Sequence, residues 1–158
     1  PSSPDPTGAT QADQGNNPFA SMGAGLGAGL GFFQDWLKAG VKVAINADHM
    51  QGVDPDRALN PYNPFLAMFV AITRKTERGK VYGPEQKVSR IEALRMVTID
   101  AAYMTFDEKN RGSIETGKLG DLALLADDFM TCSEEQIKNM KVVATVVGGR
   151  IVHLHEKP

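Results

Sequence analysis

The sequence predicts an α/β protein that turns into a β-strand portion near its carboxyl end. The first observation is a short apolar run at 41–46, which lies between two segments of helical periodicity. A run of this length and position predicts a parallel strand that is buried on both faces. The second observation is a change of pattern after residue 111, where helix-like segments give way to turns and short strands. We therefore predict an α/β portion at 30–111 and a β portion at 112–158.

Helices are predicted on both sides of the strand at 41–46. The first covers 30–39, carries Phe33 on its apolar face and ends at Gly40. The second begins at Asn63, an N-cap residue followed by proline, and is apolar on nearly every side through residue 72. Because it has no polar face, it must be buried on more than one side.

A capping box formed by Ser89 and Glu92 predicts the start of a third helix. We expect Asp100 to cap a further short turn that runs through residue 103. The inner face of the third helix is expected to carry four apolar residues, which are Ile91, Leu94, Val97 and Ala101.

The β portion is predicted to contain a strand at 122–126, two helical turns at 134–140 and a β-hairpin at 142–155. The hairpin prediction depends on the Gly148-Gly149 pair between two apolar runs. Together these elements predict a small sheet at the end of the chain.

Composition limits the classes of function. The chain of 158 residues has a net charge of −2 and no dense basic cluster, which argues against nucleic-acid binding. No apolar run approaches the roughly 18 residues of a membrane span. The single cysteine excludes an internal disulfide framework and favours a reducing compartment such as the cytoplasm.

Residues 1–29 are rich in proline, glycine and polar residues, which predicts a flexible arm or loop. The glycines at 23–31 loosely fit a dinucleotide-binding pattern, but that motif requires a strand directly before it. Residues 16–21 do not predict one. Nucleotide binding is therefore a minor hypothesis.

The candidate functional residues are Asp48 and His49, which follow the predicted strand at 41–46. Loops after the carboxyl ends of parallel strands carry the chemistry of α/β folds. A carboxylate placed there ligates a metal or accepts a proton, and an imidazole there lies beside a pocket. From spacing alone, an acid that caps a loop or pairs with a nearby cation is the favoured interpretation of Asp48.

Two further candidates are weaker. His153 and His155 have the spacing that places two imidazoles on one face of a strand, but no third metal ligand is near them in sequence. Exposed strand histidines are the favoured interpretation. Cys132 has no neighbouring histidine or second cysteine, which argues against a nucleophile.

Several stretches resemble the carboxyl-terminal part of the amidohydrolase superfamily, closest to amidohydrolase family 3, which includes N-substituted formamide deformylases. The resemblance covers about 30–153. Its most specific segment is Gly112-Ser-Ile-Glu-Thr-Gly-Lys-Leu-Gly-Asp-Leu122, and residues 37–49 are similar to the end of the family's last barrel strand. This strand departs from the family pattern at Asn46-Ala47, where Gly-Ser is usual.

The resemblance implies a metal-dependent (β/α)8 TIM barrel with a small β-sandwich, hydrolysing amide-like C–N bonds in small molecules. On this mapping 41–46 is the eighth barrel strand, 112–158 is part of the sandwich, and Asp48 is both the catalytic base and a metal ligand. His49 would contact substrate at the mouth of the pocket. The implied cofactor is a divalent metal, zinc in one or two copies.

The family's paired histidines and its other metal ligands have no counterpart among these 158 residues. The resemblance therefore implies that the remaining portion of the barrel, in the same or another chain, supplies them, and that this portion alone is inactive. A homo-oligomer is compatible with this hypothesis. The alternative hypothesis is a non-catalytic interaction module or an inactive fragment.

Overall fold

The computed structural model describes residues 32–46, 63–75 and 79–155. The predicted arm at 1–29 lies outside these ranges. Five helices, a short 3-10 turn and three strands follow one another in the described part. They are α1 (Phe33–Lys38), α2 (Pro64–Thr73), the 3-10 turn (Pro84–Gln86), α3 (Arg90–Val97), α4 (Ile99–Met104), β1 (Leu122–Leu125), α5 (Glu134–Ile137), β2 (Val142–Val147) and β3 (Arg150–Leu154).

The apolar helix predicted after Asn63 is confirmed as α2. The Asn63 side chain accepts a hydrogen bond from the Phe65 amide at 2.9 Å, and proline occupies the first turn. Eight of the ten residues of α2 are buried, as the lack of a polar face predicted. The Asn63 side-chain amide also donates to the carbonyl of Lys138 at 2.8 Å, which ties the start of α2 to the end of α5.

One apolar cluster surrounds α2 and includes residues from both sides of position 111. Phe33 and Val43 reach it from the first described segment, and Met96 reaches it from α3. The carboxyl-terminal part also contributes, with Phe129, Ile137 and Met140. Segments from before and after α2 in the sequence thus share one core with it.

The strand predicted at 41–46 is wrong, because these residues form no strand in the structure. A strand needs a neighbouring strand whose backbone N–H and C=O groups form hydrogen bonds with its own. Helix α3 lies beside this segment instead, and the Ile45 amide donates to the carbonyl of Met96 at 3.3 Å. Val43 is buried, so the apolar pattern correctly indicated burial but not strand pairing.

The capping box at the start of α3 is confirmed, but its predicted inner face is wrong at Ile91 and Leu94, whereas Val97 packs against the core as predicted. Ala93 and Met96 are completely buried, whereas Ile91 and Leu94 are 59% and 40% exposed. The core-facing side is set by contact with α2, and the small Ala93 permits that contact. The apolar stripe of Ile91 and Leu94 lies on another side of the helix.

Asp100 does not cap the following turn. Helix α4 begins at Ile99, and its N-cap residue is Thr98. Thr98 has non-helical angles, φ of −121° and ψ of −96°, and therefore separates α4 from α3. Asp100 lies inside the first turn of α4 and is buried.

The strands form an antiparallel sheet in the order β1-β2-β3. The predicted hairpin is confirmed, with φ of 56° at Gly148 and 79° at Gly149, as its turn requires. The predicted helix at 134–140 is shorter than expected. After Ile137 the backbone hydrogen bonds join residues three apart, as in a 3-10 helix, and the α-helix ends. One of them runs from the Met140 amide to the Ile137 carbonyl at 3.1 Å.

Gly112 fixes the approach of the turn at 111–113 to α4. Its φ is +88°, and a Cβ atom there would lie 2.8 Å from both the Cα of Ile99 and the Cβ of Ala102. We expect Gly112→Ala to lower the free energy of unfolding by about 3 kcal/mol. The cost of an alanine at positive φ and the cost of the clash between its Cβ atom and α4 both contribute to this loss. Urea unfolding followed by circular dichroism measures the loss.

Gly117→Ala is the matched control for this substitution. Gly117 has a similar φ of +93°, but a Cβ atom would meet nothing within 4 Å. Gly117→Ala should lower the free energy of unfolding by about 1 kcal/mol, from backbone strain alone. Equal losses for the two variants would contradict the packing assigned to Gly112.

Candidate functional site

Asp48 and His49 lie outside the described residues, as does the glycine run at 23–31. The structure does describe 41–46, the segment that leads into them. Asp48 is three positions after Ile45 in the sequence, and three peptide units span at most about 11 Å. The anchoring of 41–46 therefore limits where Asp48 can be.

Two contacts hold the segment 41–46 against α3. The side chain of Val43 belongs to the buried cluster that also contains Met96 of α3. The Ile45 amide donates to the Met96 carbonyl at 3.3 Å, close to the carboxyl end of α3. An apolar contact and a backbone bond thus hold the last described residues before Asp48.

A buried carboxylate provides a third anchor. The side chain of Asp100 is 8% exposed, and its Oδ1 lies 3.9 Å from Lys42 Nζ and 3.9 Å from Arg95 Nη2. Lys42 Nζ also lies 5.1 Å from the centre of the Tyr103 ring. A buried carboxylate needs compensating positive charge, and here two partly exposed cations supply it. The pair Lys42–Asp100 therefore links 41–46 to α4.

Arg74 is a buried cation at the carboxyl end of α2. It ends α2 in the left-handed conformation with φ of 59°, and its Nε donates to the carbonyl of Tyr82 at 3.1 Å. Its guanidinium lies 5.8 Å from the centre of the Phe33 ring. Burial lowers the pKa of Arg74 from its ordinary value, and the nearby charge of Glu85 partly offsets this effect.

The other predicted candidates are not brought together. His153 lies on β3, whose five residues are all exposed, and His155 follows it with its amide bonded to the Val143 carbonyl at 2.8 Å. Among the described residues, no three His, Cys, Asp or Glu side chains are close enough to hold a metal ion. The described residues alone therefore do not form a ligand set.

Cys132 takes part in a structural contact. The Arg90 guanidinium donates to the carbonyls of Phe129 and Cys132 and lies 3.5 Å from the Cys132 sulfur. These bonds fasten the loop before α5 to the start of α3. The thiol is half-buried in that loop.

The buried contacts of two polar side chains were not predicted. Asp100 was expected to cap a short helical turn, and no contact of Gln86 was predicted. A buried polar side chain in a loop cannot be recognised from spacing, since its partners are distant in the chain.

Among the described residues, no helix has the length and apolarity that crossing a membrane requires.

The fold of the described residues is similar to that of solved hydrolases. An amidohydrolase from Thermotoga maritima MSB8 superposes with a TM-score of 0.51 at 20% identity, covering 78% of this chain and 26% of that one. A 5-methylcytosine deaminase from Klebsiella pneumoniae superposes with a TM-score of 0.55 at 18% identity, covering 82% and 28%. These neighbours place the chain in a TIM-barrel-type α/β fold.

The chain belongs to the amidohydrolase family. The sequence model of that family matches residues 17–153. N-substituted formamide deformylase of Arthrobacter pascens is 34% identical over 113 residues, which make up 72% of this chain and 19% of the relative. The chain thus spans about a fifth of the length of the curated relatives it matches.

The exposure of the strand histidines leads to a prediction. In the complete protein, the double variant His153→Gln, His155→Gln should leave metal content and turnover unchanged, since both residues are exposed and no third described ligand lies beside them. Metal content by plasma mass spectrometry checks this, with circular dichroism as the control for folding. Loss of a metal equivalent from a folded variant would contradict it.

Proposed function

We propose that this chain is the carboxyl-terminal portion of a metal-dependent amidohydrolase that cleaves non-peptide C–N bonds. The family match over 17–153 is the observation that carries the proposal. The formamide deformylase relative supports an amide, formamide or cyclic amide as the substrate class. The bond to be cleaved in each is a carbon–nitrogen bond of a small molecule.

In this proposal Asp48 is the general base. Its carboxylate accepts a proton from the attacking water and returns it to the nitrogen of the leaving amine. The anchoring of 41–46 to α3 and α4 supports the assignment, because a proton-transfer group must be held within hydrogen-bond reach of its partner. His49, the next residue, would contact the substrate at the mouth of the pocket.

Asp48 is also the metal ligand that we assign to this chain. The described residues form no ligand set of their own, so the other ligands would come from the remaining portion of the barrel, in the same or another chain. A divalent ion, zinc in one or two copies, would polarise the substrate carbonyl and acidify bound water. This chain then contributes the carboxylate and the scaffold that holds it.

We further propose a division of the chain at about residue 111. Residues 30–111 would supply the last portion of the barrel, in which 41–46, which form no strand in the described structure, would pair only with a strand of the remaining portion. Residues 112–158 would supply part of a β-sandwich. The three-stranded sheet β1-β2-β3 supports the second assignment. Asp48 would then follow two residues after the described segment 41–46, at the barrel edge that carries the chemistry.

The second candidate function is a non-catalytic interaction module. Exposed apolar side chains favour it, among them Ile91 on α3 and Ile151 on β3, which are 59% and 65% exposed. The enzyme proposal explains the same surfaces as contacts with the remaining portion of the barrel and sandwich. The two candidates differ in whether Asp48 is needed for turnover.

The test is Asp48→Asn in the complete protein. We expect kcat to fall by about 10²–10⁴-fold on N-substituted formamides and cyclic amides, because the amide cannot accept the proton. Steady-state kinetics with this substrate panel measures the change.

Asp127→Asn is the matched control, since Asp127 is exposed and distant in sequence from the site. It should leave kcat unchanged. Full turnover in Asp48→Asn would contradict the proposed function.

A further inference from the structure

Helix α4 ends in a Schellman motif whose left-handed position is occupied by Phe106. The Phe106 amide donates to the Tyr103 carbonyl at 3.0 Å, and the Asp107 amide donates to the Ala102 carbonyl at 2.9 Å. These two bonds define the motif, and its left-handed residue is usually glycine. Phe106 has φ of 58°, a conformation that a Cβ atom disfavours. The chain therefore has a strained phenylalanine where glycine would end the helix without strain.

The Phe106 side chain is almost completely open to solvent in the described chain. The residue is 91% exposed, more than any other large apolar residue of the described part. Arg74 is the other non-glycine residue with positive φ among the described residues, and it is 4% exposed. The Arg74 guanidinium makes buried contacts with the Phe33 ring and the Tyr82 carbonyl. Phe106 has the same backbone strain without contacts of this kind.

The backbone that follows Phe106 is held in place by its own hydrogen bonds. The amides of Asn110 and Arg111 both donate to the Asp107 carbonyl, each at 3.0 Å. The Asn110 side chain donates to the Asp107 carboxylate at 2.7 Å, and Arg111 forms an ion pair with the same carboxylate. A side chain on a fixed backbone loses little conformational entropy when it binds. Phe106 is thus preorganised for a contact.

A second exposed apolar residue lies on a turn that packs against the same helix. Ile114 is 88% exposed. Gly112 lies so close to α4 that a Cβ atom there would be 2.8 Å from two of its atoms. On the other side of Ile114, Lys118 Nζ donates to Ser113 Oγ at 2.6 Å and closes the turn. Phe106 and Ile114 therefore both extend from segments fixed to α4.

The lengths of the relatives indicate what would cover these side chains. This chain matches 19% of the formamide deformylase relative and 26% and 28% of the two solved neighbours. Most of such a fold therefore lies outside the described residues. Single exposed apolar residues are common, but strained conformations are retained mainly where a contact or a function requires them. Rigid aromatic side chains are typical anchors of such contacts.

We propose that Phe106, together with Ile114, is a docking anchor that inserts into an apolar pocket of the remaining portion of the enzyme. This inference rests on the proposed function for the existence of that portion. Burial of the ring in the pocket compensates for the strain at Phe106. The charged residues at 107–111 would form the polar rim of the contact.

The first test measures the exposure of the Phe106 ring in the complete protein. Hydroxyl radicals oxidise accessible rings, and mass spectrometry of the peptides gives the rate at each phenylalanine. Phe106 should be oxidised at least about 10-fold more slowly in the native than in the urea-unfolded protein, because a docked ring reacts only after local opening. Phe33, which is 3% exposed, is the matched control for a buried ring. Oxidation of Phe106 at the unfolded rate beside a protected Phe33 would overturn the proposal.

Dilution identifies the occupant of the contact. Protection by the remaining portion should be the same in single copies of the complete protein as in any oligomer. Size-exclusion chromatography at each concentration identifies the species present. Protection that is lost when the complete protein separates into single copies would assign the ring to a second copy and overturn the proposal.

The second test uses the sign of a stability change in the complete protein. Phe106→Gly removes the ring and the strain together, whereas Phe106→Ala removes the ring and keeps the strain. Both variants should lower Tm by about 2 °C or more, with Phe106→Ala the lower of the two, because a docked ring is lost. A higher Tm in Phe106→Gly would mean that the ring only strains the chain, and would overturn the proposal.

Lys109→Ala is the matched control for the Tm measurements. Lys109 is exposed in the same loop, three positions after Phe106. A surface substitution of this kind should leave Tm within about 1 °C of the wild type. Calorimetry measures all three variants under the same conditions.

Neither test measures turnover, so the two proposals can fail separately. Full turnover in Asp48→Asn would overturn the proposed function and leave the docking of Phe106 in place. An exposed Phe106 ring in an active protein that needs Asp48 would overturn the docking anchor alone. Should Phe106→Gly not fold, the oxidation of the unsubstituted protein decides.

Discussion

The burial of α2 on every side is the constraint on which the described structure depends. Eight of its ten residues are buried, and each large apolar side chain removed from water contributes about 1.5–3 kcal/mol. This gain requires covering segments on all sides, which come from α1, α3 and the loops around α5. Because these segments contact the same helix, α2 sets their positions relative to one another.

The covering of α2 leaves other apolar surfaces open. All five residues of β3 are exposed, and Ile91 and Leu94 of α3 face away from the core. Large exposed apolar surfaces usually mark contacts with other parts of a protein. A chain that spans about a fifth of its curated relatives would be expected to expose surfaces that the remaining portion covers.

Local signals in the sequence predicted the elements that depend on local chemistry. The N-cap at Asn63, the capping box at Ser89 and the hairpin glycines each specify their geometry within a few residues, and all three are confirmed. The segment 41–46 was predicted to pair as a strand, and it does not. Pairing depends on which segments lie beside it, and an apolar run specifies burial alone.

The candidate site was less predictable than the fold. Asp48 and His49 stay predictions from sequence position and family resemblance, since they lie outside the described residues. The hydrogen bonds that Gln86 makes with α1 could not be predicted, because its partners are about fifty residues away in the chain. The inner face of α3 was wrong for a related reason, since periodicity identifies an apolar stripe but not the neighbour that covers it.

Native mass spectrometry tests most directly the claim that this chain completes a metal-dependent hydrolase. The complete protein and the chain 1–158 would be measured with their metals retained. We expect one or two divalent ions on the complete protein and none on the chain alone, because Asp48 is the only ligand assigned to it. Stoichiometric metal on the isolated chain, or none on the complete protein, would contradict the proposed metal site.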